Sequence, residues 1–347
     1  MRFIDISGVG NSGKTAVTDL LREVEGVYSP EYSFEFDLFR VPGGLLDLRR
    51  NLKTDWSPVR SHAAYFQFLD VVTKMGANPA WWNIPGLFRS TSQRYQRRFN
   101  HKFQRLSEEF VNSFVKGRYR AEWPYENLRM SGWRRFLCKV LRRLGMRRYL
   151  MAEVVMIDGE DFDARALAYL SALYREVVQD GEKLVVLNNG FEPFNPSPGL
   201  DMLAGSRQVV VIRDPRDCYV SGLNHYKVDS EDKHLLAFDN DGLSKSFLAT
   251  DDLDMFVRRY RLYNEKVYQG DDPRTLHIRF EDLVRRYEDC VARIFRFLEI
   301  SPLRHKQPGK YFDHHVSAKN VGIWRHYRHR DEVRYLESEL SEFLIDV

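Results

Sequence analysis

The stretch Gly8-Val9-Gly10-Asn11-Ser12-Gly13-Lys14-Thr15 satisfies the pattern G-x-x-x-x-G-K-[ST] at every position. Gly8, Gly10 and Gly13 let the backbone curl so that successive N–H groups point inward. A helix starting near Gly13 adds its positive end, and Lys14 adds a mobile charge. Residues Gly10, Asn11, Ser12, Gly13, Lys14, Thr15 and Ala16 thus form a cradle for a nucleotide 5′-phosphate. The context is the one such a loop requires: the strand-like "RFIDI" precedes it and the amphipathic "TAVTDLLREV" follows.

The loop alone does not choose between ATP, GTP and a phosphosulfate. A second segment, "VVVIRDPRDCYVSGLNHY" from Val209 to Tyr226, carries more information. Its apolar run delivers Arg213 to a strand end. Asp214 then caps a helix, Pro215 suits the first helical position, and Asp217 stands where its carboxylate would reach back to the cap. Ser221 follows Arg213 by eight residues, about two helical turns, so that a guanidinium lying along the helix would meet the hydroxyl at one oxyanion.

These residues need a scaffold that brings strand ends together. Short apolar runs recur at "RFIDI", "GVYS", "VVMID", "KLVVLN", "QVVVIR" and "TLHIRF", each bounded by Gly, Asp, Asn or a charged turn. Most are followed by helical periodicity, as in Thr15 to Glu23 and Ala164 to Val178. The pattern predicts an α/β fold of P-loop type with a mostly parallel central sheet flanked by helices. From 46 to 150 strand-like runs are scarce, and aromatic and basic residues dominate. The expected organisation is therefore one domain over 1–347, with a core of 1–45 and 151–347 and a largely helical, basic insertion at 46–150.

The form R-D-P-R-D-x-x-x-S from Arg213 to Ser221 resembles the 3′-phosphate-binding segment of the PAPS-dependent sulfotransferases. In that family the loop after the first strand holds the 5′-phosphosulfate of the donor. "IRFEDLVRRYEDCVARIFRFLEI", Ile278 to Ile300, resembles the family's strand-acid-helix segment, and "SAKNVGIWRHY", Ser317 to Tyr327, resembles its loop over the 3′-phosphate. The four matches occur in the family's order and span roughly 1–45 and 151–330. The resemblance implies PAPS as donor, PAP as product and no metal. It implies that Arg213, Ser221, Lys319 and Asn320 hold the 3′-phosphate. Two departures stand out: the family's basic residue before S-G-T is Asn11 here, and its Arg-Lys-Gly is replaced around Ala318, Lys319 and Asn320. The charge has moved to Lys14, to which the resemblance gives the role of stabilising the departing phosphate.

Sulfuryl transfer to a hydroxyl or amine needs a base, and members of the family use His or Glu. Asn188 and Asn189 stand where some members place Lys-x-His, which excludes a His base there. Among the remaining carboxylates, "YSPEYSFEFDLFR" offers Glu31, Glu35 and Asp37, with Glu192 in reserve. Glu35 is preferred because Phe34 and Phe36 flank it, and an apolar setting moves a carboxylate toward the working pH range. His225 is expected as a neighbour of the nucleotide or a core residue.

Between Arg89 and Leu150 there are 17 Lys and Arg against 4 Asp and Glu. Such a face attracts anionic acceptors, for instance sulfated or phosphorylated saccharides, and Trp81-Trp82 would stack on sugar faces; solvated helices and core tryptophans fit the same residues. With 43% hydrophobic and 29% charged residues and no membrane-length apolar run, a soluble protein is expected. The three widely spaced cysteines and the strand at the start of the chain point to the cytoplasm. No oligomeric state and no nucleic acid partner is indicated. Two other classes fit parts of the chain. An ATP-dependent small-molecule kinase would use the opening loop with Asp158 holding magnesium. A binder of polyanions or anionic membranes would use 89–150 alone.

Overall fold

In a computed structural model of the chain, the described residues are 1–30, 34–77, 95–123, 125, 130–179, 181–225, 248, 252–270 and 272–345. The strands are β1 (Arg2–Gly8), β2 (Val27–Tyr28), β3 (Val115–Ala121), β4 (Ala152–Ile157), β5 (Leu184–Asn188), β6 (Arg207–Ile212) and β7 (Thr275–Arg279). The principal helices are α1 (Lys14–Arg22), α2 (Pro58–Gly76), α3 (Phe103–Asn112), α4 (Gly132–Arg143), α5 (Phe162–Tyr174), α6 (Pro215–His225), α7 (Leu253–Gln269), α8 (Phe280–Arg285), α9 (Tyr287–Leu298) and α10 (Arg330–Glu339).

Two compact units divide the chain, one of Met1–Phe39 with Val178–Val347 and one of Arg40–Val177. The expected divisions lay a few residues later at the first boundary and well before the second. The first unit holds a five-stranded sheet in the order β2-β5-β1-β6-β7, in which every pairing is parallel. Strands of a parallel sheet are buried on both faces, and their alternation divides the core in two. Ile4, Ile6, Val209 and Val211 pack with Val17 and Leu20 of α1 and with Leu283 and Ile294 of α8 and α9. Val210 and Ile212 face the other way, onto Cys218 and Val220 of α6, Tyr260 of α7 and Leu336 of α10.

The second unit corrects one reading of the sequence. "VVMID" becomes β4, which pairs antiparallel with β3 in a separate two-stranded sheet rather than joining the parallel one. Its apolar run is too short for periodicity to distinguish a parallel core strand from half of a hairpin-like ladder. The helices of this unit start and pack conventionally. Ser57 accepts a bond from Arg60 N at 3.2 Å ahead of Pro58, capping α2. Phe110 stacks on Tyr169 at 4.7 Å and Phe114 on Phe162 at 5.1 Å, joining α3 to α5.

Candidate active site

β5, β1 and β6 lie side by side and run in the same direction. Their carboxyl ends present Asn188-Asn189, the phosphate loop and Arg213 along one edge of the sheet. β7 adds Phe280 and Glu281 where it runs into α8. The carboxyl edge is where open parallel sheets bind ligands.

The loop after β1 has the curl its glycines allow. Ser12 N donates to Val9 O at 3.1 Å, and Asn11 (φ 62°) and Gly13 (φ 84°) adopt left-handed conformations. A Cβ on Gly13 would stand 2.5 Å from the Phe280 ring, so both the space and the backbone demand glycine there. α1 begins directly after it at Lys14. Ser12 Oγ and Arg213 Nε are each buried without a hydrogen-bond partner. Two buried donors lacking an acceptor fit an anionic ligand, and the phosphates of PAPS are such a ligand.

Arg213, 4% exposed, binds both loops expected to flank the nucleotide. Its Nη1 donates to Asn11 O at 3.0 Å, its Nη2 donates to Asn320 O, and its guanidinium lies 5.0 Å over the Phe280 ring. The strand-end arginine, the phosphate loop and the loop at Ser317 to Tyr327 are thereby brought together. Ser221 is half-buried on α6, and a Cβ on the adjacent Gly222 would lie 3.1 Å from Asn11 Nδ2, which sets this turn of the helix against the phosphate loop. Lys319 is exposed on the short helical turn Ala318–Asn320, so its charge reaches a ligand only by extension from the surface.

Asp214 caps α6 as expected, accepting from Arg216 N at 2.9 Å. Asp217 does not reach back to that cap. Its Oδ2 accepts from Gly322 N at 2.7 Å and its Oδ1 from Trp324 N at 3.3 Å, so it holds the loop at Ser317 to Tyr327 instead. The spacing is the same in both roles; what differs is that a distant loop supplies the N–H groups. Arg216 completes the attachment, lying 4.0 Å over the Trp324 ring and bonded to Asp214 and to Glu337 at 2.8 Å each.

On the other side of the phosphate loop, Lys14 Nζ donates to Glu35 Oε1 at 2.7 Å. The Lys14 and Glu35 side chains are 16% and 13% exposed, so the pair is partly shielded but not sealed. The same Oε1 accepts from Asn189 Nδ2 at 3.0 Å. The segment carrying Glu35 is fastened to the end of β5 by Phe36 N to Asn188 O at 2.9 Å and by Asn188 Nδ2 to Phe34 O at 2.8 Å, while Phe34 and Phe36 are buried. Asn189 takes a left-handed φ of 53°, and its N–H donates to Ile6 O at 2.9 Å, tying it to β1. An asparagine at the end of a strand, in a conformation this residue tolerates better than most, is the one trace of this arrangement in the sequence.

Of the other acids considered, Asp37 is buried, Glu192 is half-buried in the loop after β5, and Glu31 lies outside the described residues. Trp81 and Trp82 lie outside them too. Gly10, Thr15 and Ala16 are half-buried in and after the loop.

Two buried carboxyls stand close behind the site. Glu281 Oε1 accepts from Asp214 N at 3.0 Å, and burial pushes its carboxyl up to about 7 against the pull of that bond. Asp5, in the middle of β1, is raised by burial to about 6; it accepts from Gly190 N at 2.7 Å and Gln208 Nε2 at 3.1 Å, and Ser7 Oγ also donates to it. These links tie β1 to β6 and to the turn after β5, beneath the loops that carry the candidate residues.

The sulfotransferase domain family matches residues 202–320, the stretch that contains Arg213, Ser221, Glu281, Lys319 and Asn320. Among solved structures, the chain is similar to a sulfotransferase domain from the curacin biosynthetic pathway at 12% identity (99% of this chain, 99% of that chain, TM-score 0.44). It is also similar to the sulfotransferase domain of the Synechococcus PCC 7002 olefin synthase at 13% identity (100% and 96%, TM-score 0.40). A third, sulfotransferase STF9 from Mycobacterium avium, is 15% identical (99% and 76%, TM-score 0.39). No curated protein matches the chain.

Proposed function

We propose, from the premise that the chain is an enzyme of the PAPS-dependent sulfotransferase family, that it moves a sulfuryl group to a hydroxyl or amine of a saccharide or another small polar molecule, with Lys14 and Glu35 as its catalytic pair. The observation that carries the reading is the 2.7 Å approach of Lys14 Nζ to Glu35 Oε1 at the end of the phosphate loop. A cation and a carboxylate at that place match the two needs of in-line transfer: a positive charge for the leaving oxygen and a proton acceptor for the incoming one.

The donor supplies the sulfuryl group and leaves as PAP. The chain's own residues do the rest. The loop N–H groups other than those of Ser12 and Ala16, which donate to Val9 O and Gly13 O, bind the 5′-phosphate together with the positive end of α1. Arg213, Ser221, Lys319 and Asn320 bind the 3′-phosphate. Lys14 turns from Glu35 to the oxyanion that forms at the leaving oxygen. Glu35, released from that pair and held by Asn189, takes the acceptor's proton on an Oε atom. The buried Phe34 and Phe36 fix the backbone on either side of the base, so that its reach is set by one side chain.

The kinase reading loses its magnesium acid. Asp158 follows β4, which belongs to the antiparallel pair and not to the sheet that carries the phosphate loop. The test of the sulfotransferase reading is transfer of label from sulfur-labelled PAPS across a panel of saccharides, small alcohols and amines. The expected result is labelled product with wild type and none with Lys14→Ala. Equal labelling by the two proteins would remove Lys14 from its role.

A further inference from the structure

The Arg40–Val177 unit carries a surface to which the proposed reaction assigns no residue. α4 and the turn after it read GWRRFLCKVLRRLGMRRYLM from Gly132 to Met151, with seven Arg and Lys and no acidic residue. Ser131 caps the helix by accepting from Arg134 N at 3.4 Å. Trp133, Phe136, Leu137, Val140, Leu141 and Leu144 recur at the spacing of one helical face. In a helix packed on its own core that face would be buried, but no residue of α4 is. Trp133 is 68% exposed, Phe136 54% and Leu144 65%, and the Trp133 and Phe136 rings stack on each other at 5.7 Å with an interplanar angle of 25°. Met146, Tyr149 and Met151 continue the exposed apolar surface past the helix end.

The opposite face is cationic. Arg134, Arg135, Lys139, Arg142, Arg143, Arg147 and Arg148 are all exposed. Arg142 pairs with Glu122, and Arg148 lies 4.8 Å over the Tyr149 ring. Among the described residues the other five have no ion-pair partner. An apolar stripe of this size left in water marks an interaction site.

We propose that α4 and the turn to Met151 form an interfacial anchor for an anionic lipid surface. A helix of 12 residues is about 18 Å long, too short for a hydrocarbon core of about 30 Å, so it lies in the plane of the interface. Its Trp, Phe and Leu side chains enter the boundary between headgroups and acyl chains, and its Arg and Lys side chains meet the lipid charges. Other occupants fit less of what is present. A polyanion would satisfy the cations and leave Trp133, Phe136 and Leu144 in water. A second copy, docked by two-fold symmetry, would bring the same uncompensated cations together. This inference is independent of the reaction assigned to the chain.

The test is co-sedimentation of the full chain with vesicles of phosphatidylcholine containing 30 mol% phosphatidylserine, and with pure phosphatidylcholine. Binding to the anionic vesicles at least about 10-fold tighter than to neutral ones is expected. Trp133→Ser with Leu137→Ser should lower it about 100-fold, and Arg134→Gln with Arg135→Gln and Lys139→Gln by a similar factor. The substituted side chains are exposed, and circular dichroism melts check that each variant remains folded. Absence of binding to anionic vesicles overturns the proposal. So does undiminished binding by the Trp133 and Leu137 variant, which would indicate a surface that reads charge alone. A dimer abolished by that variant, with no vesicle binding, would assign the face to a second copy.

Discussion

Lys14 Nζ and Glu35 Oε1 stand 2.7 Å apart, each mostly shielded from solvent, at the point where the phosphate loop becomes a helix. Each of these groups is a partner of the other. In the proposed reaction the leaving-group cation and the base are thus coupled: an anion that draws Lys14 away removes the cation from beside Glu35.

Replacing Glu35 with Gln keeps the bond from Asn189 and removes the proton acceptor. kcat should fall about 100- to 10,000-fold, with PAP affinity unchanged or modestly raised because the group competing for Lys14 loses its negative charge. Steady-state kinetics beside PAP calorimetry separates the effects. A kcat within a factor of two of wild type would move the base to Glu31, Asp37 or Glu192.

Asn189 positions Glu35 through a single 3.0 Å bond from a left-handed backbone. Asn189→Gly keeps that backbone and deletes the donor, so kcat should drop about 10-fold with no change in PAP binding. Asn189→Ala adds about 1 kcal/mol of strain at positive φ. A merely structural asparagine would instead lower the melting temperature in both variants and leave kcat per folded enzyme intact.

Arg213→Ala cuts the links from the strand end to Asn11 O and Asn320 O and removes a buried cation. PAP binding should weaken about 10- to 100-fold, the equivalent of one or two charge-assisted bonds. Calorimetric titration measures it, and an unchanged Kd would leave the arginine a structural tie only.

Glu281 gives stability a pH dependence with a definite sign. Its carboxyl is raised in the fold to about 7 from an ordinary 4.5, so the fold favours the protonated form. The contribution is complete below about 4.5 and is lost as pH rises through about 7. From pH 5 to pH 8 this group should cost the wild type on the order of 3 kcal/mol. Glu281→Gln, which keeps an acceptor for Asp214 N, should flatten that part of the curve. Asp5, raised to about 6 with the same sign, remains in both proteins. Urea unfolding at the two pH values is the measurement, and parallel losses in wild type and variant would contradict it.

The parallel sheet was legible because its strands are short apolar runs, most of them followed by helical periodicity, and "RFIDI", "KLVVLN", "QVVVIR" and "TLHIRF" each become a strand of it. "VVMID" misled because Val154, Val155 and Ile157 are buried in an antiparallel pair as they would be in a parallel sheet, which produces the same short run. Within the site, Gly13, Lys14 and Arg213 were legible from local spacing, since the loop and the strand-to-helix switch are built by neighbours in sequence. Asn189 and Asp217 were not. Asn189 acts across 154 residues on Glu35, and Asp217 across 105 residues on Gly322, contacts that only the packed sheet edge creates.

The donor can be identified without knowing the acceptor. Melting temperature is measured with PAP in EDTA and, separately, with magnesium and ATP. At about 100 times its Kd, PAP should add about 2.7 kcal/mol and raise the melting temperature by about 5 °C without any metal, an effect diminished in Arg213→Ala. Stabilisation by magnesium-ATP with none by PAP would contradict the account.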